Sequence, residues 1–147
     1  MVEERPGRCT VKVFLDTAPI LMLVEGPAPL RRAVKEQLRL WLDAEVPLGT
    51  SVLSLAELLE HPKRLDDITL QYRYRTLLGE LLSFPFFAFD DQAAELAAEL
   101  MARHDLRLVQ AQQLAIAVMH EFDVFYSAES APAGFDRLTF LPAPPTA

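Results

Sequence analysis

Residues 108–118, LVQAQQLAIAV, place three glutamines within four positions and end in a run of small and aliphatic side chains. Apolar and small residues over more than two turns predict a helix that packs inside a protein. The N-terminus of a helix carries a partial positive charge that favours aspartate or glutamate. Neutral amides at this helix start are therefore unexpected in a chain with 21 acidic and 14 basic residues.

The composition indicates a single globular domain. The chain has 147 residues, 51% of them hydrophobic, which is enough to bury a core. A net charge of −7 argues against a protein that coats nucleic acid through bulk positive charge, but it is compatible with a nuclease that has an acidic metal site. The single cysteine, Cys9, excludes an internal disulfide and a cysteine-based zinc cluster. With no long apolar segment or secretory signal, we expect a soluble, cytoplasmic protein.

Short β-branched and aromatic segments alternate with segments of helical periodicity. The predicted strands are 10–16, 47–54, 84–89, 122–127 and 137–142, and the predicted helices are 17–26, 27–44, 55–61, 64–84, 90–104 and 110–120. This alternation implies crossover connections and a mostly parallel sheet buried by helices on both faces. We therefore predict an α/β fold, a three-layer α/β/α sandwich formed by one domain (1–147), with its core at about 11–142 and a disordered tail at 143–147.

Acidic residues follow three of the predicted strands. Asp16 ends the first strand, Glu57 lies one helical turn beyond Ser54 at the end of the second, and Glu129 follows the strand 122–127. Ligands of open α/β sheets bind at the carboxyl ends of the strands. Hard divalent cations prefer oxygen ligands and can promote phosphodiester cleavage. The three carboxylates are therefore candidates for one metal site.

Each of these acids also has an explanation that involves no chemistry. Ser54 and Glu57 have the spacing of a capping box, in which Glu57 would only satisfy the helix start. Asp16 could cap the helix that follows it, although a carboxylate directly after a buried strand needs a partner. Glu129 lies in a loop rich in small residues and proline, where it could simply be solvated. The capping and functional roles are compatible with each other.

Taken in order, these segments resemble the PIN domain, the nuclease fold of VapC-type toxins and related RNA-processing enzymes. VKVFLDTAPIL (11–21) resembles the first strand and Asp-Thr turn of that family, and TSVLSLAELLE (50–60) resembles its second strand and glutamate-bearing helix. VQAQQLAIAVMHEFDVFYSAES (109–130) resembles its late helix and strand. The resemblance covers about residues 11–142, and the order of the motifs is more specific than any one of them.

The resemblance implies a PIN-like fold and a metal-dependent ribonuclease that cleaves RNA phosphodiester bonds with Mg²⁺ or Mn²⁺. It also implies an antitoxin protein as a partner and a homodimer formed through the helices around residues 14–43. Position by position, the resemblance assigns catalysis to Asp16, Glu57 and Glu129, and metal binding to these three together with Gln110. It gives Thr17 and Ser127 supporting roles.

Three positions depart from the family pattern. Ala18 replaces an asparagine, Glu129 is one methylene longer than aspartate, and Gln110 offers an oxygen without a charge where the third acid is expected. An uncharged ligand lowers the expected affinity for a cation. Two functions therefore remain open: a ribonuclease with a weakened site, and a catalytically impaired PIN fold that binds RNA or protein. An unrelated α/β phosphotransfer domain is a third, less well matched because its paired acids and lysine are not evident.

Basic side chains on the predicted helices are candidates for RNA binding. Arg73 and Arg75 alternate with Tyr72 and Tyr74, which mixes positive charge with stacking surfaces suited to single strands. Further candidates are Arg31, Arg32 and Arg107. A solvated helix face is the alternative explanation for all five arginines.

Overall fold

The computed structural model describes residues 11–144, in which four strands and six helices follow one another. In chain order they are β1 (Val13–Leu15), α1 (Thr17–Glu25), α2 (Ala28–Asp43), β2 (Leu48–Gly49), α3 (Val52–Arg64), α4 (Ile68–Leu81), α5 (Asp91–Arg103), α6 (Leu108–Met119), β3 (Val124–Ser127) and β4 (Thr139–Pro142). Cys9, the start of the predicted first strand and residues 145–147 of the predicted tail lie outside the described residues. Between residues 11 and 144, no helix is long and apolar enough to cross a membrane.

The four strands form one parallel sheet in the order β2-β1-β3-β4. β1 is central, and its register pairs Val13 with Leu48 of β2 and Leu15 with Tyr126 of β3. Helices connect consecutive strands up to β3, as parallel pairing requires. The carboxyl ends of β1, β2 and β3 therefore lie side by side at one edge of the sheet.

Helices cover both faces of the sheet. Successive side chains of β1 point to opposite faces, so each face contributes to its own core. Val13 and Leu15 belong to a core formed with α1, α2, α3 and α4. Phe14 points the other way, into a second core built largely from α5, α6 and aromatic rings. The predicted three-layer α/β/α fold is confirmed.

The region after β1 shows where the predicted boundaries are wrong. The second strand is limited to Leu48–Gly49, and α3 begins at Val52 and continues through Pro62 to Arg64, beyond the predicted helix 55–61. The predicted helix 64–84 is confined to α4, and α6 begins two residues earlier than predicted.

Near the C-terminal end of the described residues, Ala143 is buried and its N–H donates to the Ser127 carbonyl, so the predicted disorder does not extend to this residue.

The predicted strand 84–89 is wrong. This segment makes one isolated parallel bridge, between Phe87 and Ser51, and otherwise has no strand pairing within the described residues. Pro85 lacks the N–H that a ladder needs. Phe84 and Phe87 instead pack edge-on against the ring of Phe122. The aromatic content that suggested a strand thus reflects burial of rings in the core.

Gly49 lies where the backbone of β2 meets this aromatic cluster. A β-carbon built at Gly49 would lie 2.5 Å from Cζ of Phe122. The Phe122 ring is also packed against Phe14, so it has little room to move. Glycine is thus required here by close packing, while its backbone conformation is ordinary.

We predict that Gly49→Ala lowers the free energy of unfolding by about 1–3 kcal/mol, because overpacking a filled core forces side chains and backbone to shift. Urea denaturation followed by circular dichroism measures the change. Gly79→Ala is the matched control, because nothing lies within 4 Å of a β-carbon built at this helical position. This control should raise stability by about 0.5–1 kcal/mol. Equal stability of Gly49→Ala and the unmodified protein would contradict the packing argument.

Candidate metal centre

Asp16 joins the ends of two neighbouring strands. It follows β1 directly and is also the N-cap of α1, where its Oδ1 accepts the Thr17 N–H at 2.9 Å. Its Oδ2 accepts the hydroxyl of Ser127, at the end of β3, at 2.8 Å. The Asp16 N–H donates to the Tyr126 carbonyl, which continues the β1–β3 pairing to this point. The expected capping role is present, together with a second role as a bridge to β3.

The surroundings of Asp16 disfavour an uncompensated negative charge. Burial is the largest effect and raises the pKa of the Asp16 carboxyl. The hydrogen bonds from Ser127 and Thr17 act in the opposite direction, and the negative charges of Glu129 and Glu57 raise this pKa further. Glu57 and Glu129 are thus both close enough to repel the charge of Asp16, and a cation beside Asp16 would relieve that repulsion.

Glu57 does not form the capping box that its spacing suggested. The N-cap of α3 is Ser51, whose hydroxyl oxygen accepts the Leu53 N–H, so Ser54 already lies in the first helical turn. The Glu57 carboxylate instead accepts the Thr17 hydroxyl at 2.6 Å. Thr17 therefore links the two acids, because its N–H donates to Asp16 and its hydroxyl donates to Glu57.

Glu129 is held beside the site by two contacts. Its N–H donates to the Ser127 hydroxyl oxygen at 3.0 Å, and that hydroxyl in turn donates to Asp16. Its carboxylate forms an ion pair with Arg107, the residue at the N-cap of α6. The backbone of Glu129 thus lies close to Asp16, while the Glu129 carboxylate is paired with Arg107.

Gln110 lies in the first turn of α6, a turn without any acidic residue, as the sequence predicted. Its side chain makes no hydrogen bond to another of residues 11–144. Gln113 lies one turn further along the same face of the helix, and it is 1% exposed. Its amide bonds to Ser51 and Ser54 of α3. Because Gln113 faces α3, Gln110 lies on the side of α6 directed toward the helix that carries Glu57.

Sequence reasoning missed the importance of Gln113. The available signal was its position: Gln113 directly precedes the small and aliphatic run from Leu114 to Ala117, which packs in the core. A buried amide of this kind needs hydrogen-bond partners, which is a reason to expect a polar contact there. The sequence could not identify these partners, because they are 59 and 62 residues away.

The five arginines predicted to bind RNA do not form one surface. Arg31 and Arg32 of α2 line a groove between α1, α2 and α4, whereas Arg73 and Arg75 of α4 line two other grooves. Arg107 is the member of this set that contacts a predicted site residue within the described part of the chain. Their role in RNA binding stays a prediction.

The donor set suits a hard divalent cation through two of its acids. No three side chains of the types His, Cys, Asp and Glu are placed to hold one metal ion between residues 11 and 144. In this structure the Glu129 carboxylate is engaged by Arg107. Magnesium in proteins usually needs only one or two carboxylates besides water and substrate phosphate. Asp16 and Glu57, joined through Thr17, fit that requirement.

Solved structures with the same fold include several proteins from toxin–antitoxin systems. A chain in a toxin–antitoxin complex from Klebsiella pneumoniae is 20% identical, with a TM-score of 0.71 over 92% of this chain and 100% of that one. A chain of VapBC2 from Rickettsia felis, bound to a promoter DNA fragment, is 11% identical, with a TM-score of 0.67 over 90% and 98%. A chain of VapBC-5 from Mycobacterium tuberculosis is 16% identical, with a TM-score of 0.59 over 90% and 99%. At these identities the likeness concerns the fold.

Sequence comparison gives the family directly. Among curated proteins, none is significantly similar to the chain. Residues 13–140, however, match the PIN domain family, and this range contains all four positions that the sequence assigned to the metal site. The chain therefore belongs to the PIN domain family.

Proposed function

We propose that this protein is a metal-dependent ribonuclease of the VapC toxin type. The observation that carries the proposal is the environment of Asp16, a partly buried carboxylate at the end of the central strand that bonds to Ser127 and Thr17 and is repelled by the charges of Glu129 and Glu57. Membership of the PIN domain family supports a nuclease in general. The toxin–antitoxin proteins that share the fold support the toxin type.

Asp16 and Glu57 are the residues that would hold Mg²⁺ or Mn²⁺, with Gln110 as a further oxygen ligand; Glu129 would join them only on leaving its ion pair with Arg107. The chemistry supplied by a bound divalent cation is activation of water and stabilisation of the leaving oxygen. Thr17 fixes the two principal carboxylates relative to each other, since it donates to both. Ser127 orients the second oxygen of Asp16 and the loop that carries Glu129. Arg107 offers a guanidinium beside this site for an RNA phosphate.

We predict that the purified protein cleaves single-stranded RNA with Mg²⁺ or Mn²⁺, and that Asp16→Asn reduces the rate by at least about 100-fold. Loss of an outer-shell partner alone typically costs about 10–100-fold, and Asp16 would bind the cation directly. Gel analysis of a mixed pool of RNAs measures the rate. Chelation of the metal by EDTA should abolish cleavage by the unmodified protein.

Asp43→Asn is the matched control, since Asp43 is an exposed acid at the end of α2. This variant should cleave at the unmodified rate. Equal cleavage by Asp16→Asn and the unmodified protein would remove Asp16 from the mechanism. Circular dichroism of both variants separates loss of the site from loss of the fold.

The second candidate function is a PIN fold that binds RNA or protein without cleaving. Two observations favour it: the third acid of the family pattern is replaced by Gln110, and the Glu129 carboxylate is neutralised by Arg107. Both reduce the negative charge available to a cation. In that case RNA or a protein partner would bind to a site that retains its shape but holds metal too weakly for turnover.

Restoring the missing charge distinguishes these candidates. We predict that Gln110→Asp tightens Mn²⁺ binding by about tenfold, or about 1.4 kcal/mol, because it adds a charged oxygen ligand. Isothermal titration calorimetry measures the affinity, and RNA cleavage is measured in parallel. Gln112→Asp, two residues along α6, should leave the affinity unchanged. Gain of cleavage only in Gln110→Asp would favour the impaired site, whereas unchanged Mn²⁺ affinity would show that residue 110 is outside it.

An antitoxin partner is supported by the groove between α1, α2 and α4. The groove has a volume of about 590 Å³, and its floor includes Leu23, Leu38 and Leu77. Its rim carries four basic side chains, Arg31, Arg32, Lys35 and Arg39, in a chain of net charge −7. A segment with one apolar and one acidic face complements such a surface. The homodimer expected from the sequence stays a prediction.

We predict that the product of a short reading frame adjacent to the gene binds this groove. Reversal of two rim charges, in Arg32→Glu with Arg39→Glu, should weaken the complex at least about tenfold, because attraction at the rim becomes repulsion. Co-purification followed by surface plasmon resonance measures the affinity. Arg103→Glu on α5 is the control and should bind normally. A complex that is unaffected by the two rim reversals would place the partner elsewhere.

A further inference from the structure

A buried polar network extends from the interior of α6 to the predicted metal ligand Glu57. Its members are Gln113 of α6, Ser51 and Ser54 of α3, Thr50 before α3, and Thr17 of α1. Gln113, Ser51, Ser54 and Thr50 are each at most 1% exposed. No buried side-chain nitrogen or oxygen of the described residues lacks a hydrogen-bond partner. The network is thus complete, and its proton positions can be deduced.

The orientation of the Gln113 amide follows from the N-cap of α3. The Ser51 oxygen accepts the Leu53 N–H, which leaves the Ser51 hydroxyl proton available for donation. That proton requires an acceptor, and the Gln113 oxygen, Oε1, is the atom it reaches. The Gln113 nitrogen, Nε2, must therefore point the other way, where it donates to the Ser54 oxygen at 2.7 Å.

The two threonines have their protons committed elsewhere. The Thr50 hydroxyl lies 2.7 Å from the Leu15 carbonyl, which can only accept. The Thr17 hydroxyl lies 2.6 Å from the Glu57 carboxylate, which accepts when ionised. Ser54 has a single proton to share between the Thr50 and Thr17 oxygens, at 2.9 and 3.1 Å. Gln113 therefore donates to Ser54, Thr17 donates to Glu57, and the Ser54 and Thr17 hydroxyls are in contact at 3.1 Å.

Gln113 fills one of the two acceptor positions on the Ser54 oxygen and so restrains the hydroxyl that contacts Thr17. Without the Gln113 N–H, both lone pairs of the Ser54 oxygen would be open, and this oxygen lies 3.1 Å from the Thr17 hydroxyl. Ser54 would then be a stronger competitor of the Glu57 carboxylate for the Thr17 proton. Glu57 has no other hydrogen bond within the described residues, and it is exposed, so this contact is what restrains its carboxylate.

We propose that Gln113 is a positioning residue for Glu57, acting through Ser54 and Thr17, and that it thereby sets the affinity of the site for a divalent cation. This inference rests on the proposed metal-dependent function. Gln113 touches neither cation nor substrate. Two hydrogen bonds separate Gln113 from Thr17, and Thr17 in turn contacts Glu57.

The test compares Gln113→Met, which keeps volume but removes both hydrogen bonds of the amide, with Gln112→Met on the same helix. Mn²⁺ affinity, measured by isothermal titration calorimetry on the full chain, should fall about 10–100-fold in Gln113→Met, the range for loss of outer-shell partners. It should be unchanged in Gln112→Met. Thr17→Val removes the last link without entering the core, and it should reproduce the loss if Gln113→Met folds poorly.

A double-mutant cycle separates positioning from general destabilisation. If Gln113 acts through Glu57, then Gln113→Met should have no further effect on Mn²⁺ affinity in a Glu57→Gln background. Effects that multiply in the double variant would show that Gln113 acts independently of Glu57. That result would overturn the proposal.

Two further outcomes separate failure of this inference from failure of the proposed function. Unchanged Mn²⁺ affinity in Gln113→Met, with normal binding by the unmodified protein, would overturn the inference and leave the function standing. Absence of Mn²⁺ binding by the unmodified protein would overturn the function. Crystal structures of the unmodified protein and Gln113→Met then decide the inference: it is supported if the Thr17–Glu57 hydrogen bond is lost only in the variant, and overturned if both retain it.

Discussion

The hydrogen bond from the Ser127 hydroxyl to the Asp16 carboxylate ties the ends of two parallel strands together. It lies one residue beyond the last β1–β3 pair, Leu15 with Tyr126, so the strand register sets its geometry. The loop to Glu129 leaves from the same serine, and α1 begins from the same aspartate. Several parts of the site therefore depend on a single carboxylate, which burial makes costly to ionise and which must be compensated by its neighbours.

Neutral groups provide much of that compensation. A threonine N–H and two hydroxyls donate to Asp16 and Glu57 and orient these acids without cancelling their charge. Arg107 is different, because a guanidinium neutralises the carboxylate it contacts. Hydrogen bonds from neutral groups thus leave the negative charges of Asp16 and Glu57 in place. The charge of Glu129, in contrast, is balanced by Arg107, so the site contains two uncompensated acids and one that is paired.

The sequence predicts the position of a residue well where its neighbours in sequence determine its surroundings. The position of Asp16 is predictable in this way, because a polar residue that ends a buried strand lies at the sheet edge in any parallel α/β arrangement. The predicted capping box at Ser54 was wrong because Ser51 and Ser54 are both suitable N-cap residues. Which of them caps α3 depends on where β2 ends. The strand at 84–89 failed because aromatic rings suit a sheet and a core equally. Gln113 required knowledge of partners in a distant helix.

The exposed ion pair at the mouth of the site has a consequence for solution conditions. The side chains of Arg107 and Glu129 are 75% and 42% exposed, so dissolved ions screen their attraction effectively. Interactions among the buried groups of the network are screened much less. Ionic strength therefore acts selectively: added salt loosens Glu129 from its arginine while the arrangement beneath it persists. Salt concentration thus controls how often the Glu129 carboxylate is free of Arg107. A polyanion that binds Arg107 would free Glu129 in the same way.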